Sequence, residues 1–220
     1  VGAHPFYNAP FVGLQDGKVV PEEGISSLHS TLLAEKGVTT LVVERNLLDN
    51  LLSYAAFDKV DVPINSSEFV ASLQVKSFFF FYYNFNLWKK HFPVVNYDAL
   101  TSKDAETRSK ELALLTRLVG TPVELEEKEK TVKKALTPMG NGYTGFWKNV
   151  LSVDTLTKLQ ETYGVDIPIT ESIVSTPEEG DLLFLQAYET VLKDPNNKVT
   201  YTNWRIDEKL LEAKLLYKKD

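Results

Sequence analysis

A helix-rich α/β fold is predicted by three observations. The stretch TTLVV (39–43) is short, β-branched and uncharged, which is the composition of a buried strand. Directly after it the pattern changes to helical spacing, with Leu51, Leu52, Ala55 and Ala56 recurring on one face. A strand that feeds straight into a helix is half of a βαβ unit, and a second short strand, VVNY (94–97), follows after a long helical stretch.

Composition bounds the function classes. A chain of 220 residues that is 43% hydrophobic can bury a core as one main domain. Its 30 acidic residues against 24 basic ones, a net charge of -6, argue against broad binding of nucleic acid or anionic membrane and leave room only for a local cationic pocket. With no cysteine, disulfides and thiolate metal sites are excluded. The longest apolar run, FFFFYY (78–83), is far short of the roughly 20 residues that span a bilayer, so a soluble chain is expected. The sequence starts at Val1 without a charged-then-apolar leader, as a processed chain or a piece of a longer one would. Compartment is left open.

The elements follow in order. Asp16-Gly17 between two short apolar segments is a hairpin signal, because glycine accepts positive φ. The helix after TTLVV begins near Asp49, with Asn46 or Asp49 available as its cap. A long helix is expected from Ser66 or Ser67 to about His91, stopped by Pro93. Its aromatic run FFFFYYNFNLW (78–88) places Phe78, Phe81, Phe85 and Trp88 on one stripe, with further aromatics between them. A helix apolar nearly all round is buried on several sides or faces a partner, so a protein partner through 66–91 is one expectation. A third helix runs from about Lys103 to Val119, with Thr101 and Asp104 in capping-box spacing and Gly120 as its stop. VELEEKEKTVKKAL (123–136) reads as a helix with a solvated charged face. SVDTLTKLQETYG (152–164) is a capped helix ending in glycine. A helix over 177–193, a strand KVTYTNW (198–204) and a final amphipathic helix from Asp207 complete the chain. The organisation expected is an N-terminal segment (1–38), a core (39–164), and a helical extension (165–220) packed on the same domain.

Arg45 stands directly after the first strand, where open α/β sheets present ligands, and Ser53 lies two helical turns further on. A guanidinium fork with a hydroxyl beside it suits a phosphate. The plainer alternative is an arginine that satisfies carbonyls at a strand end and a serine that merely tolerates the helix.

The segment VVERNLLDNLLSYAAF (42–57) resembles the stretch in sulfotransferases that reads apolar strand, Arg-Asn-Pro, Asp, then a helical Ser followed by aromatics. VVNYDAL (94–100) is similar to that family's strand and RYEDL segment, and ALLTRLVG (113–120) to the helix ending in FLG. Trp88 falls where the family often has a tryptophan. GYTGFWKNVLSVDTLTKLQETYG (142–164) looks like the C-terminal RKGxxGDWKNxFT loop and its helix. These landmarks occur in the family's order and cover roughly 39–164. The resemblance implies a three-layer, P-loop-related fold around a short parallel sheet. It also implies that Arg45 and Ser53 hold the 3′-phosphate of 3′-phosphoadenosine 5′-phosphosulfate or of its bisphosphate product, with Gly142, Gly145, Trp147 and Lys148 in the loop that closes over the nucleotide.

The departures point to a degenerate member. Leu47 stands where proline is usual, Gly140 and Asn141 where an Arg-Lys pair clasps the 3′-phosphate, and Phe146 where the residue before the tryptophan is acidic. No stretch resembles the family's YPKSGTTW loop, which cradles the 5′-phosphosulfate on backbone amides. GLQDGKVV (13–20) has a gap one residue too short for a Walker loop, and Val19 follows the lysine. The family's catalytic histidine lies before the Arg-bearing strand, and His29 is in that general place; an ordinary histidine is the alternative. His4 and His91 show no metal-ligand spacing, and no metal site is expected. Three readings result: a sulfotransferase-like domain not catalytic alone, an active sulfotransferase fragment whose phosphosulfate loop lies elsewhere, or an accessory subunit of a larger assembly. Asn65-Ser66-Ser67 is a glycosylation sequon, a triplet common by chance.

Overall fold

In the computed structural model, residues 14–15, 18–19, 41–90, 92–123 and 144–193 are described. In chain order, Leu14–Gln15 (β1) and Lys18–Val19 (β2) precede Val42–Glu44 (β3), Leu47–Phe57 (α1), Ser67–Ala71 (α2) and Leu73–Trp88 (α3). Then come Val94–Asn96 (β4), Tyr97–Leu100 (α4), Ala105–Val119 (α5), a 3-10 turn at Phe146–Asn149, Val153–Tyr163 (α6), a second turn at Ile169–Glu171, and Pro177–Lys193 (α7). The described residues are thus helix-rich with a short parallel strand pair, an α/β composition. Two compact units divide the chain: Val1–Glu44 with Phe81–Glu126, and Arg45–Phe80 with Glu127–Asp220. The charged stretch 123–136 beyond Val123, the strand 198–204 and the helix from Asp207 lie outside the described residues.

The first unit contains both strand pairs. β1 and β2 are antiparallel, Leu14 opposite Val19 and Gln15 opposite Lys18, as the Asp16-Gly17 turn chemistry predicts. β3 and β4 are parallel, with Val42 opposite Val94, Val43 opposite Val95 and Glu44 opposite Asn96. Among the described residues β3 has this one neighbour. Val42 and Val95 are buried, but Val43 is 48% exposed, so β3 buries one face where the sequence predicts a strand covered on both. Period-two geometry turns Val43 away from Val42, and an uncharged sequence alone does not say what covers the second face. Lys89 pairs with Glu44 at the end of the strand. Glu111 of α5 accepts the Asn96 backbone N–H at 2.5 Å, and the Asn96 side chain in turn caps α4 through the Ala99 amide at 2.9 Å. Asp104, rather than Thr101, caps α5 by accepting from the Thr107 amide, and Gly120 ends it at φ 78.

The second unit is helical. Asn46 caps α1, its side-chain oxygen accepting from the amides of Leu48 and Asp49 at 3.1 Å each. Leu48, Leu51, Leu52, Ala55 and Ala56 are buried, the stripe that the spacing predicts. Each leucine so buried contributes roughly 1.5–3 kcal/mol. The long helix predicted over 66–91 is two helices. Ser66 caps α2, whereas Ser72, extended at ψ 153, ends it and accepts from the Val75 amide as α3 begins. A serine hydroxyl offers the backbone an alternative acceptor, which a reading of apolar spacing does not register. Ser77, Phe78 and Phe79 are all buried. At 100° per residue they span more than one side of α3, so this half of the aromatic helix is covered on more than one side. Phe79 stacks on Tyr163 of α6 with centroids 4.2 Å apart, and the Tyr163 hydroxyl donates to the Val70 carbonyl at 2.5 Å. α6 is capped by Ser152 and ended by Gly164 at φ 60.

Asn65 ties three segments together. Its side-chain oxygen accepts from the Ser152 amide at 2.7 Å, and its Nδ2 faces the carbonyls of Val150 and Pro177 and the Asp181 carboxylate at 2.8, 3.1 and 3.2 Å. A glycan on this nitrogen would break the clasp, so the folded chain does not present the sequon. Gly180, one turn into α7, lies so close that an added Cβ would be 2.1 Å from the Val150 carbonyl oxygen.

Candidate functional site

Arg45 and Ser53 both belong to the second unit, Arg45 directly before the Asn46 cap of α1 and Ser53 within the helix. Tyr188, contributed by α7, is 3% exposed. Burial, first of all, pushes the Tyr188 hydroxyl up to about 12; the Arg45 charge and the Ser53 side chain oppose the rise, and the Asp49 charge adds to it. The phenol is therefore neutral at any physiological pH. Its ring is held by Phe184 one turn earlier, centroids 5.1 Å apart, and by Phe146 of the glycine-containing loop at 6.4 Å.

Asp49 is the buried carboxylate of the site, 2% exposed. Its oxygens accept the backbone N–H groups of Gly145 at 2.6 Å and Trp147 at 3.0 Å. Gly145 sits at φ 89, a left-handed position that presents its amide to the carboxylate and opens the 3-10 turn. Successive amides of this kind form a concavity for an anion, and here Asp49 fills it. Trp147 is buried beneath, and among the described residues its indole N–H has no hydrogen-bond partner. Lys148 points elsewhere: its ammonium pairs with Glu171 at 2.6 Å and lies 5.8 Å from the Trp147 ring centroid.

Of the residues singled out from the sequence, Gly145 and Trp147 meet at Asp49, which lies four positions from Arg45 and four from Ser53. Lys148 is engaged with Glu171, and His29 and Gly142 lie outside the described residues. Sequence reasoning read Asp49 as a cap candidate and passed over Tyr188. A signal existed for each: a lone acid inside the apolar run LLDNLL, and an aromatic pair at i, i+4 in Phe184 and Tyr188. Among the described residues no group of three His, Asp or Glu is placed to hold a metal ion, and no helix is long and apolar enough to cross a membrane.

Comparison of the chain with protein-family models, curated proteins and solved structures found no match.

Proposed function

We propose that the chain is a sulfotransferase-like domain that holds the 3′-phosphate of an adenosine bisphosphate at Arg45 and Ser53 and does not transfer sulfuryl groups alone. One observation carries this reading: Asp49, four positions from Arg45 and four from Ser53, holds the backbone amides of Gly145 and Trp147, so two segments that resemble the sulfotransferase pattern meet. An arginine directly before the α1 cap and a serine two turns further on supply the donor types that a phosphate monoester takes. Asp49 would repel that phosphate, but the amides of Gly145 and Trp147 offset its charge.

The phosphosulfate donor, when bound, supplies the activated sulfuryl group. In this reading Arg45 forks onto the phosphate oxygens and Ser53 donates to one of them. Gly145 and Trp147 act through shape, since their amides are given to Asp49, and Lys148 steadies the loop through Glu171. His29 is the proposed base should an acceptor hydroxyl ever be activated. The non-catalytic part of the proposal is supported by the absence of any stretch like the phosphosulfate loop and by Gly140 and Asn141, which stand in place of charge-assisted contacts worth roughly 1.5–3 kcal/mol each.

Calorimetric titration with adenosine 3′,5′-bisphosphate tests both parts when paired with a turnover assay using labelled phosphosulfate donor and a panel of phenols, alcohols and sugars. Weak one-to-one binding is expected, lost on Arg45→Ala, with no turnover for any acceptor. Binding indifferent to Arg45→Ala removes the phosphate site and leaves the accessory-subunit reading. Turnover that vanishes in His29→Ala restores the enzyme.

A further inference from the structure

α7 packs on the second unit through one face and leaves the opposite face open. Gly180 lies against the Val150 carbonyl, and Phe184, Tyr188 and Val191 are buried, whereas Leu182 and Leu185 are 55% and 54% exposed. Glu178, Leu182, Leu185, Glu189 and Leu192 recur at alternating steps of four and three, the spacing of a seam that receives a second helix. A shallow groove along it is lined by Leu185, Gln186, Glu189, Leu192 and Lys193. Two half-exposed leucines and the less exposed Leu192 fall well short of the roughly 800 Å² per partner that a stable dimer needs. A segment tethered to α7 needs no such area, because a short linker holds it at an effective concentration of about millimolar. The sequence beyond α7 contains a matching seam: Ile206, Leu210, Ala213 and Tyr217 recur at steps of four, three and four. As a helix, 206–217 is about 16 Å long, against about 15 Å from Leu182 to Leu192. Residues 194–205 intervene, opening with Asp194-Pro195, which suits a turn after the helix. Extended, they reach about 40 Å, ample for a return at the roughly 8–10 Å separation of packed helices. Charge sets the direction. α7 begins with Glu178 and Glu179 and ends with Lys193. The later segment begins with Asp207 and Glu208 and finishes with Lys214, Lys218 and Lys219 against the single acid Asp220. Antiparallel packing brings opposite charges together at both ends, and parallel packing brings like charges together.

We propose that the open face of α7 is a docking surface for residues 206–217 of the same chain, which fold back as an antiparallel helix and set Tyr217 by Leu182, Ala213 by Leu185 and Ile206 by Leu192. The proposal is independent of the phosphate reading. While the segment is docked, the leucine seam is closed to other proteins, and α7 is held from both sides.

The chain has no cysteine, so a disulfide in a double-cysteine variant reports on the introduced pair alone. Two full-length variants are compared at low concentration under copper–phenanthroline oxidation: Leu182→Cys with Tyr217→Cys, neighbours in the antiparallel arrangement, and Leu182→Cys with Ile206→Cys, neighbours only in a parallel one. A disulfide forms where the two Cα atoms come within about 7 Å. The first pair is expected to close within one chain roughly tenfold or more faster than the second, read by non-reducing electrophoresis and intact mass. Equal rates, the reverse order, or no closure of either pair overturns the proposal. Cross-linked dimers that increase with protein concentration place a second copy on the seam and overturn it too. Hydrogen exchange supplies a second reading. Leu185→Asp changes a position that is half-exposed on α7 and should lower amide protection across 206–217 by roughly tenfold or more. Unchanged protection, or none in the wild-type chain, overturns the docking; if Leu185→Asp does not fold, the cysteine pairs decide.

Discussion

Asp49 is a single carboxylate that organises a loop 96 positions away through two backbone amides. Charge-assisted acceptors of this kind are the strong members of the hydrogen-bond inventory, and removing one orphans its buried donors. Asp49→Ala should therefore destabilise the chain by about 3 kcal/mol in urea unfolding, with Asp49→Asn nearly as costly because an amide offers one acceptor where two are used. A loss below 1 kcal/mol would mean that the loop holds its shape without the carboxylate. Residues differ in how legible they were. Asn46, Ser152, Gly120 and Gly164 act on backbone groups within a few positions, and their roles as caps and stops are written in local chemistry. Asp49 and Tyr188 are defined by partners far along the chain; the local pattern marks each as unusual without naming those partners.

Elements show the same division. α6 and α7 fall where the sequence places them, over Val153–Tyr163 and Pro177–Lys193, because each has its own boundary signals. The break at Ser72 was missed because apolar spacing continues across it while the backbone does not. What positions α7 is not hydrophobic periodicity but the absence of a side chain at Gly180. A methyl group there would overlap the Val150 carbonyl at 2.1 Å and crowd the Asn65 amide at 2.7 Å. Gly180→Ala should cost about 1–3 kcal/mol through overpacking, despite alanine's better helix propensity. Because α7 carries Tyr188, the variant should also change the near-ultraviolet dichroism of the tyrosines; unchanged stability would show that α7 shifts freely.

At the scale of the whole molecule, two units share one chain, and α3 contributes to both, its residues before Phe81 to one and those from Phe81 to the other. The α/β composition was legible because the change from period two to period 3.6 at Arg45 is abrupt; the division into units was not, since no linker marks it. Stability should vary with pH through Asp58, at the C-terminal end of α1. Burial raises its carboxyl from 3.8 to about 6. At Asp58 the folded chain then holds more proton than the unfolded chain between those values, so the contribution of this group to stability is fullest below about pH 4 and is lost as pH rises through 6. Asp58→Asn should raise the melting temperature at pH 7 and lose its advantage by pH 4, as a thermal series across that range would read. A variant no more stable than wild type at pH 7 would show that water already reaches the carboxylate. Time acts on the molecule as well as pH. An asparagine followed by serine ages by deamidation, in which the next backbone nitrogen attacks the side-chain amide. In the folded chain the Ser66 N–H donates to the Pro63 carbonyl at 3.1 Å while the Asn65 amide is held in its clasp, and the attack has no geometry. During any excursion to the unfolded state that protection is gone. A chain that returned with aspartate at 65 would meet the Val150 and Pro177 carbonyls and the Asp181 carboxylate with no proton to offer. Chemical lifetime and folding are thereby coupled: each unfolding event risks a change after which the same fold is harder to regain.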